Sequence, residues 1–225
     1  MADEPGSGSG SGKYRGVLAV LAAVLVLWLV TRGHSPGSGA SAPSGSVSGS
    51  PSATPSASAT SSSAAYDPAQ LGALVREYAG KAGIDAQLLM AILYNESYKP
   101  HDPALERAWQ QLKPDAAFGV ANMHRAAFDE TKQGRDFAAR AWDELPDDHA
   151  LAVEAAAWYL HDLATQLPAH RSVPYTEDEL LALGYNTGPG NMLAFARGTA
   201  LGSAARSYLD QLHANWSKSA TAVKS

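Results

Sequence analysis

One acidic side chain, Glu96, stands at a position where the sequence predicts burial. The apolar residues Leu89, Ile92 and Leu93 repeat with the period of an α-helix, and Glu96 continues their stripe. Its carboxylate is expected to face the core from the last helical turn, before Pro100. Burial and the negative end of the helix dipole both raise the pKa of a carboxyl group, as a general acid for glycosidic cleavage requires. The alternative is a Glu at a helix end that turns to solvent.

Other candidates for chemistry are weaker. Glu154 lies off the apolar stripe of its helix, and the acids at positions 143–148 are typical of a solvated helix boundary. The seven histidines show neither a His-x-x-x-His nor a His-Glu-x-x-His pattern, so we predict no metal site and no cofactor. Gly188-Pro189-Gly190 lacks the Lys-Ser/Thr of a phosphate loop and predicts a turn.

Large aromatic residues on the predicted helices have two interpretations. Most such side chains belong to the core, but some form platforms on which sugars stack. The candidates are Trp109, Trp142, Trp158 and Trp216.

Composition excludes several classes of protein. The 225 residues are 45% hydrophobic with a formal net charge of −5, which fits one domain plus appendages. From position 66 onward, 14 Lys and Arg stand against 20 Asp and Glu, so no basic face is available for nucleic acid. The absence of cysteine excludes disulfides, a thiolate zinc site and a cysteine nucleophile.

Residues 13–32 are predicted to form a transmembrane anchor. They contain an uncharged apolar run long enough to cross a bilayer. Lys13 and Arg15 precede the run and only Arg32 follows it, so the N-terminus is expected in the cytoplasm and the rest outside the cell membrane. The alternative is a cleaved signal peptide, although the small-x-small motif at 40–42 is followed by a proline.

The segments around this anchor differ sharply in composition. Residues 1–12 are a Gly/Ser-rich tag, predicted to be disordered and cytoplasmic. Residues 33–65 are almost wholly Ser, Gly, Ala, Pro and Thr, so we predict a disordered linker with a reach of roughly 30 Å. The folded domain is predicted at 66–216, and 217–225 as a frayed tail.

The domain is predicted to be all-α, because helical patterns are separated by Pro and Gly and no two-residue alternation occurs. The chain is expected to break at 184–190, in a loop that carries Tyr185 and Asn186. The predicted helices lie at 67–82, 85–96, 102–112, within 115–132, at 135–145, from 147 or 148 to 167, at 176–183, and from 201 to 216.

The order and spacing of three motifs are informative. Glu96-Ser97 follows an apolar helix, a segment centred on Gly119 comes about twenty residues later, and Leu-Gly-Tyr-Asn-Thr-Gly-Pro-Gly ends at position 190. Together they resemble the soluble lytic transglycosylases with a lysozyme-like fold, glycoside hydrolase family 23, in a membrane-anchored, actinobacterial-type form. The resemblance covers roughly 80–198.

The resemblance implies a role for each matching residue. Glu96 would be the only catalytic carboxylate, Tyr185 and Asn186 would line the site, and Ser97, Gly119 and Asn122 would bind substrate. The sequence departs from the family at 119–122, where Val and Ala replace larger residues and Asn122 stands for the usual Gln.

The implied reaction is cleavage of the MurNAc-GlcNAc β-1,4 bond of peptidoglycan, giving a 1,6-anhydro-muramyl product. A hydrolytic muramidase on the same fold and an inactive peptidoglycan-binding module are the two alternatives. The expected location is the cell membrane, with the domain on the cell wall side. The expected partners are glycan strands and the membrane.

Overall fold

The computed structural model describes residues 66–98 and 101–224. In these residues the chain forms eight α-helices and no strand, so the prediction of an all-α domain is confirmed for this part. The helices are α1 (Gly72–Ala82), α2 (Ala86–Glu96), α3 (Pro103–Leu112), α4 (Arg125–Thr131), α5 (His149–Gln166), α6 (Glu177–Thr187), α7 (Pro189–Ala196) and α8 (Ser203–Ala222). The predicted tag, anchor and linker lie outside the described residues. None of the eight helices has the length and apolar character needed to span a bilayer.

Short polar side chains begin the helices where the sequence predicts them. Asp85 accepts hydrogen bonds from two N–H groups of the first turn of α2, at 2.6 and 3.1 Å. Asp102 caps α3 in the same way, and Thr176 and Glu179 form the predicted capping box of α6. Gly83 ends α1 in the left-handed conformation, with φ of 70°. These local signals set where α1 ends and where α2 starts.

The central helix of the domain is α2. It packs against α8 on one side and against α1 and α6 on others, while α1 also packs on α5. Leu88 and Met90 are as fully buried as Leu89, so α2 is enclosed all round rather than along one stripe. Its last turn, which carries Glu96, consequently lies inside the protein.

The turn from Phe118 to Met123 faces the end of α2. The two terminal residues pair through backbone hydrogen bonds of 3.2 and 3.0 Å. Trp142 supports this pair: its indole N–H donates to the Met123 carbonyl at 2.9 Å, and its ring contacts Phe118 edge-on at 4.9 Å. All six residues of the turn are buried, so the turn can form one side of a binding site.

The predicted helix at 135–145 is wrong. The backbone there forms successive turns and a single 3-10 turn, Trp142–Glu144. Phe137 and Trp142 are both buried, and five residues of α-helix would place them about 140° apart. A surface helix that buries a single stripe would turn only one of them to the core, and the observed turns bury both.

Two helix ends also differ from the prediction. α6 continues to Thr187 and breaks at Gly188, whose φ is 87°, so Tyr185 and Asn186 lie in a helical turn and not in a loop. α8 extends to Ala222, beyond the predicted end at 216, because Ser219 and Ala222 are buried.

Candidate active site

Glu96 is the last residue of α2, and its side chain is held inside the protein. It is 8% exposed, and its neighbour Asn95 is 6% exposed. The inward position predicted from the apolar pattern is confirmed, and the alternative of a carboxylate turned to solvent is wrong. Each carboxylate oxygen accepts a hydrogen bond from a side chain on another element.

The first of these donors is Tyr208 on α8, whose hydroxyl lies 2.9 Å from Oε1 of Glu96. Asn95 fixes the same region of α8, because its amide donates to the Tyr208 carbonyl at 3.1 Å and accepts from Asn215 at 2.6 Å. Burial, and then the negative charge of Glu96, raise the pKa of Tyr208 well above its usual value. Tyr208 therefore keeps its proton and remains a hydrogen-bond donor.

The second donor is Asn122, in the turn that faces α2. Its Nδ2 lies 3.1 Å from Oε2 of Glu96 and 2.8 Å from the hydroxyl of Tyr98. Asn122 is the one non-glycine residue with positive φ in the described part of the chain, at 51°, a conformation that Asn tolerates better than most residues. Its Oδ1 is buried and has no hydrogen-bond partner.

The Asn122 amide can hold Glu96 in either protonation state. Its nitrogen donates and its oxygen accepts, so the orientation above suits an ionised carboxylate. A half-turn of the amide would present Oδ1 instead, which would accept a hydrogen bond from a protonated Glu96 and from the Tyr98 hydroxyl. A group that acts first as an acid and then as a base passes through both states.

A buried acid supports the other end of this turn. The N–H of Gly119 donates to Oε2 of Glu106 at 2.8 Å, and Oε1 of Glu106 lies 3.0 Å from Nδ1 of His101. A side chain could not replace the hydrogen of Gly119, because a Cβ there would lie 2.8 Å from the Leu145 carbonyl oxygen. Glycine at position 119 is therefore required for the conformation of the turn.

Tyr185 meets the same turn from α6. Its hydroxyl donates to the carbonyl of Ala121 at 2.7 Å, and its ring contacts Tyr159 edge-on at 5.6 Å. Burial, followed by the charge of Glu96, raises the pKa of Tyr185 well above its usual value. Tyr185 thus contacts the backbone of Ala121, which precedes Asn122, the residue whose side chain binds Glu96.

The other predicted site residues make no direct bond to Glu96 within the described part of the chain. The hydroxyl of Ser97 donates to the Tyr94 carbonyl of its own helix at 2.8 Å, and Asn186 is half-buried next to Tyr185. Val120 and Ala121 are completely buried. The small residues at these two positions therefore affect packing beneath the turn and present no side chain to a substrate.

Sequence reasoning missed four residues of this arrangement: Tyr208, Tyr98, Asn95 and Glu106. Tyr208 shares the apolar pattern of the last helix, but no local signal in the sequence relates it to Glu96, 112 positions earlier. Glu106 carried no signal either, since a Glu in the first turn of a helix is ordinarily a surface residue.

The weaker acidic candidates lie elsewhere. Burial is the main cause that raises the pKa of Glu154. The charges that also act on it belong to Lys81, Asp136 and other residues beside α1 and α5. The acids at 143–148 include Glu144 and Asp148, which both form ion pairs with Arg140. They belong to the boundary of α5, as predicted.

The tryptophans divide between the two interpretations. Trp142 is a core residue at 6% exposure, and Trp158 and Trp216 are half-buried. Trp109 is 47% exposed, so the core interpretation, which holds for most large aromatic side chains, does not apply to it.

Residues 73–200 match the family model described as the transglycosylase SLT domain. The match covers more than half of the chain and includes Glu96, the turn with Asn122, and Tyr185. The chain therefore belongs to the transglycosylase SLT domain family, a class of lytic transglycosylases that act on peptidoglycan. Tyr208 lies beyond the matched residues. A search of curated proteins and a search of solved structures each found no match.

Proposed function

We propose that this domain cleaves the MurNAc-GlcNAc β-1,4 bond of peptidoglycan by lytic transglycosylation, with Glu96 as both acid and base. The observation that carries the proposal is the environment of Glu96, a buried acid with one oxygen held by Tyr208 and the other by Asn122. Both contacts can persist when Glu96 gains or loses a proton. The family to which the chain belongs supplies the substrate class.

The reaction has two proton transfers at one carboxyl group. In the first step Glu96 gives its proton to the glycosidic oxygen while the bond from that oxygen to C1 of N-acetylmuramic acid breaks. In the second step the Glu96 carboxylate removes the proton of the muramyl 6-hydroxyl, whose oxygen forms a bond to C1. The product is a 1,6-anhydro sugar, Glu96 regains its proton, and no water is consumed. The N-acetyl group of the substrate can take the part of the second carboxylate that other glycosidases use.

Product analysis separates this proposal from its alternatives. We expect the full-length protein in detergent to release muropeptides that end in anhydro-muramic acid, without uptake of oxygen-18 from labelled water. A hydrolytic muramidase would give products heavier by one water and labelled with oxygen-18. A binding module would retain peptidoglycan and release nothing. Mass spectrometry of the soluble fraction distinguishes the three results, and either of the last two would overturn the proposal.

We also propose that residues 13–32 anchor the chain in the cell membrane, with the domain on the cell wall side. The support is the uncharged apolar run and the positions of Lys13, Arg15 and Arg32. Protease added to intact cells should release the domain by cutting within 33–65 and leave the N-terminal tag protected. A protected domain would reverse the topology, and a mature chain that starts after Arg32 would show a cleaved signal.

A further inference from the structure

The helix α3 presents its apolar side chains to solvent. Leu105, Trp109 and Leu112 are spaced to share one helical face, and they are 63%, 47% and 74% exposed. Together with Tyr98, at 71%, they are the exposed large hydrophobic side chains of the described residues. We call these four residues the apolar strip. A concentration of this kind marks a binding surface.

The side of α3 that faces the protein explains the orientation of the helix. Its buried residue is Glu106, 5% exposed, which binds the Gly119 N–H and His101. An amphipathic helix ordinarily buries its apolar face and exposes its charges. Here the acid holds the helix to the turn of the active site, and the apolar face is left outward.

Tyr98 and α3 both contact the turn that carries Asn122. The hydroxyl of Tyr98 lies 2.8 Å from Nδ2 of Asn122, the same atom that donates to Glu96. Glu106 holds Gly119, three residues before Asn122 in the same turn. A ligand bound at Glu96 that extends along this turn from Asn122 toward Gly119 would therefore meet α3.

We propose that the apolar strip binds the glycan strand beyond the bond that is cleaved, so that α3 selects long strands. The ring of Tyr98 and the face of Trp109 that Lys113 leaves open suit the C–H faces of pyranose rings, and Leu105 and Leu112 suit the methyl groups of N-acetyl and lactyl substituents. This inference rests on the proposed function, since it extends the same substrate.

The charges and the size of the strip argue against two other occupants. Helices that lie on bilayers carry many Lys and Arg residues on their polar face. α3 contains one basic residue, Arg107, which forms an ion pair with Asp147, and Lys113 just after its end lies over the Trp109 ring, with Nζ 5.1 Å from the ring centroid. Four exposed side chains offer on the order of a few hundred Å², whereas a stable dimer buries about 800 Å² on each partner.

The test compares Trp109→Ala with Gln111→Ala in the full-length protein in detergent. Gln111 is an exposed residue of α3 away from the strip, and alanine favours a helix at both positions. With long strands as substrate, Trp109→Ala should raise KM about tenfold and leave kcat unchanged, while strands of two disaccharides should be cleaved at the parental rate. Gln111→Ala should match the parent protein on both substrates.

Binding measured in the Glu96→Gln background provides a second readout. There Trp109→Ala should weaken the binding of long strands, raising the dissociation constant about tenfold, and Trp109→Phe should recover much of the loss. Unchanged binding of long strands would overturn the inference while anhydro product still upheld the proposed function. The inference would also be overturned if Trp109→Ala lost its binding to phosphatidylglycerol vesicles, or changed its oligomeric state, while its binding of long strands stayed intact.

Discussion

Glu96→Gln should abolish the release of anhydro-muropeptides and leave the fold and the binding of glycan strands intact. Glutamine has nearly the shape of a protonated Glu but cannot transfer a proton. General acid catalysis alone is worth about 10² to 10⁴-fold in rate, and here one group would serve both steps. The release of soluble product from peptidoglycan, quantified by mass spectrometry, measures the effect.

The contacts of Glu96 explain why the fold should survive this change. The amide oxygen of the introduced glutamine can still accept from Tyr208, and its nitrogen can donate to Oδ1 of Asn122 after a half-turn of the Asn122 amide. The free energy of unfolding should therefore change by less than about 1 kcal/mol. Thermal unfolding and a pull-down with intact peptidoglycan check these two points. Cleavage by the Glu96→Gln variant at the parental rate would remove Glu96 from the mechanism.

Tyr208→Phe is a milder substitution that tests the same mechanism. It removes one hydroxyl group and leaves the acid in place, so cleavage should fall only partly. Because an ionised Glu96 loses a donor, the alkaline limb of the pH–rate profile should move to higher pH. A lower rate with an unmoved profile would mean that Tyr208 only packs against Glu96.

Gly119→Ala should destabilise the domain and also lower its activity, and Gly134→Ala is its matched control. The two glycines have almost the same φ, 71° and 73°, but a Cβ at Gly134 meets nothing within 4 Å. At Gly119 the new Cβ would lie 2.8 Å from a backbone oxygen of Leu145. We expect a cost of about 1 kcal/mol at Gly134 and about 3 kcal/mol at Gly119.

Calorimetry and activity assays separate the two contributions. The melting temperature of Gly119→Ala should fall by about 10 °C, and that of Gly134→Ala by about 3 °C. Only Gly119→Ala displaces the turn that carries Asn122, and misplacing a site residue by about 1 Å can cost about 10²-fold in rate. Equal melting temperatures for the two variants would show that the turn can yield at Leu145, and the close contact would then not explain the glycine.

Local chemistry made several features of this fold predictable. Asp85 and Thr176 act within one turn of their own helices, so the helix starts they specify could be read without the tertiary structure. The burial of Glu96 followed from a periodic pattern of the same kind. The predicted break near Gly184 was misplaced because that residue serves close packing: a Cβ there would lie 2.7 Å from the sulfur of Met192.

The features that escaped prediction depend on contacts between distant residues. Trp109 belongs to a helix whose pattern indicates an inward apolar face, whereas the structure turns Glu106 inward, where it accepts a hydrogen bond from the Gly119 N–H. Tyr208 and Glu96 meet because α8 packs on α2. Neither contact leaves a trace in the spacing of neighbouring residues.

The packing of α8 on α2 also bears on when the candidate active site can first assemble during biosynthesis. A chain leaves the ribosome in order, and its early segments can fold before the later ones exist. Glu96 appears 112 positions before Tyr208, and α8 follows every other described helix. In a nascent chain whose α8 has not yet been synthesised, Glu96 lacks the hydrogen bond from Tyr208. Synthesis itself thus delays the assembly of this candidate site until nearly all of the domain has emerged.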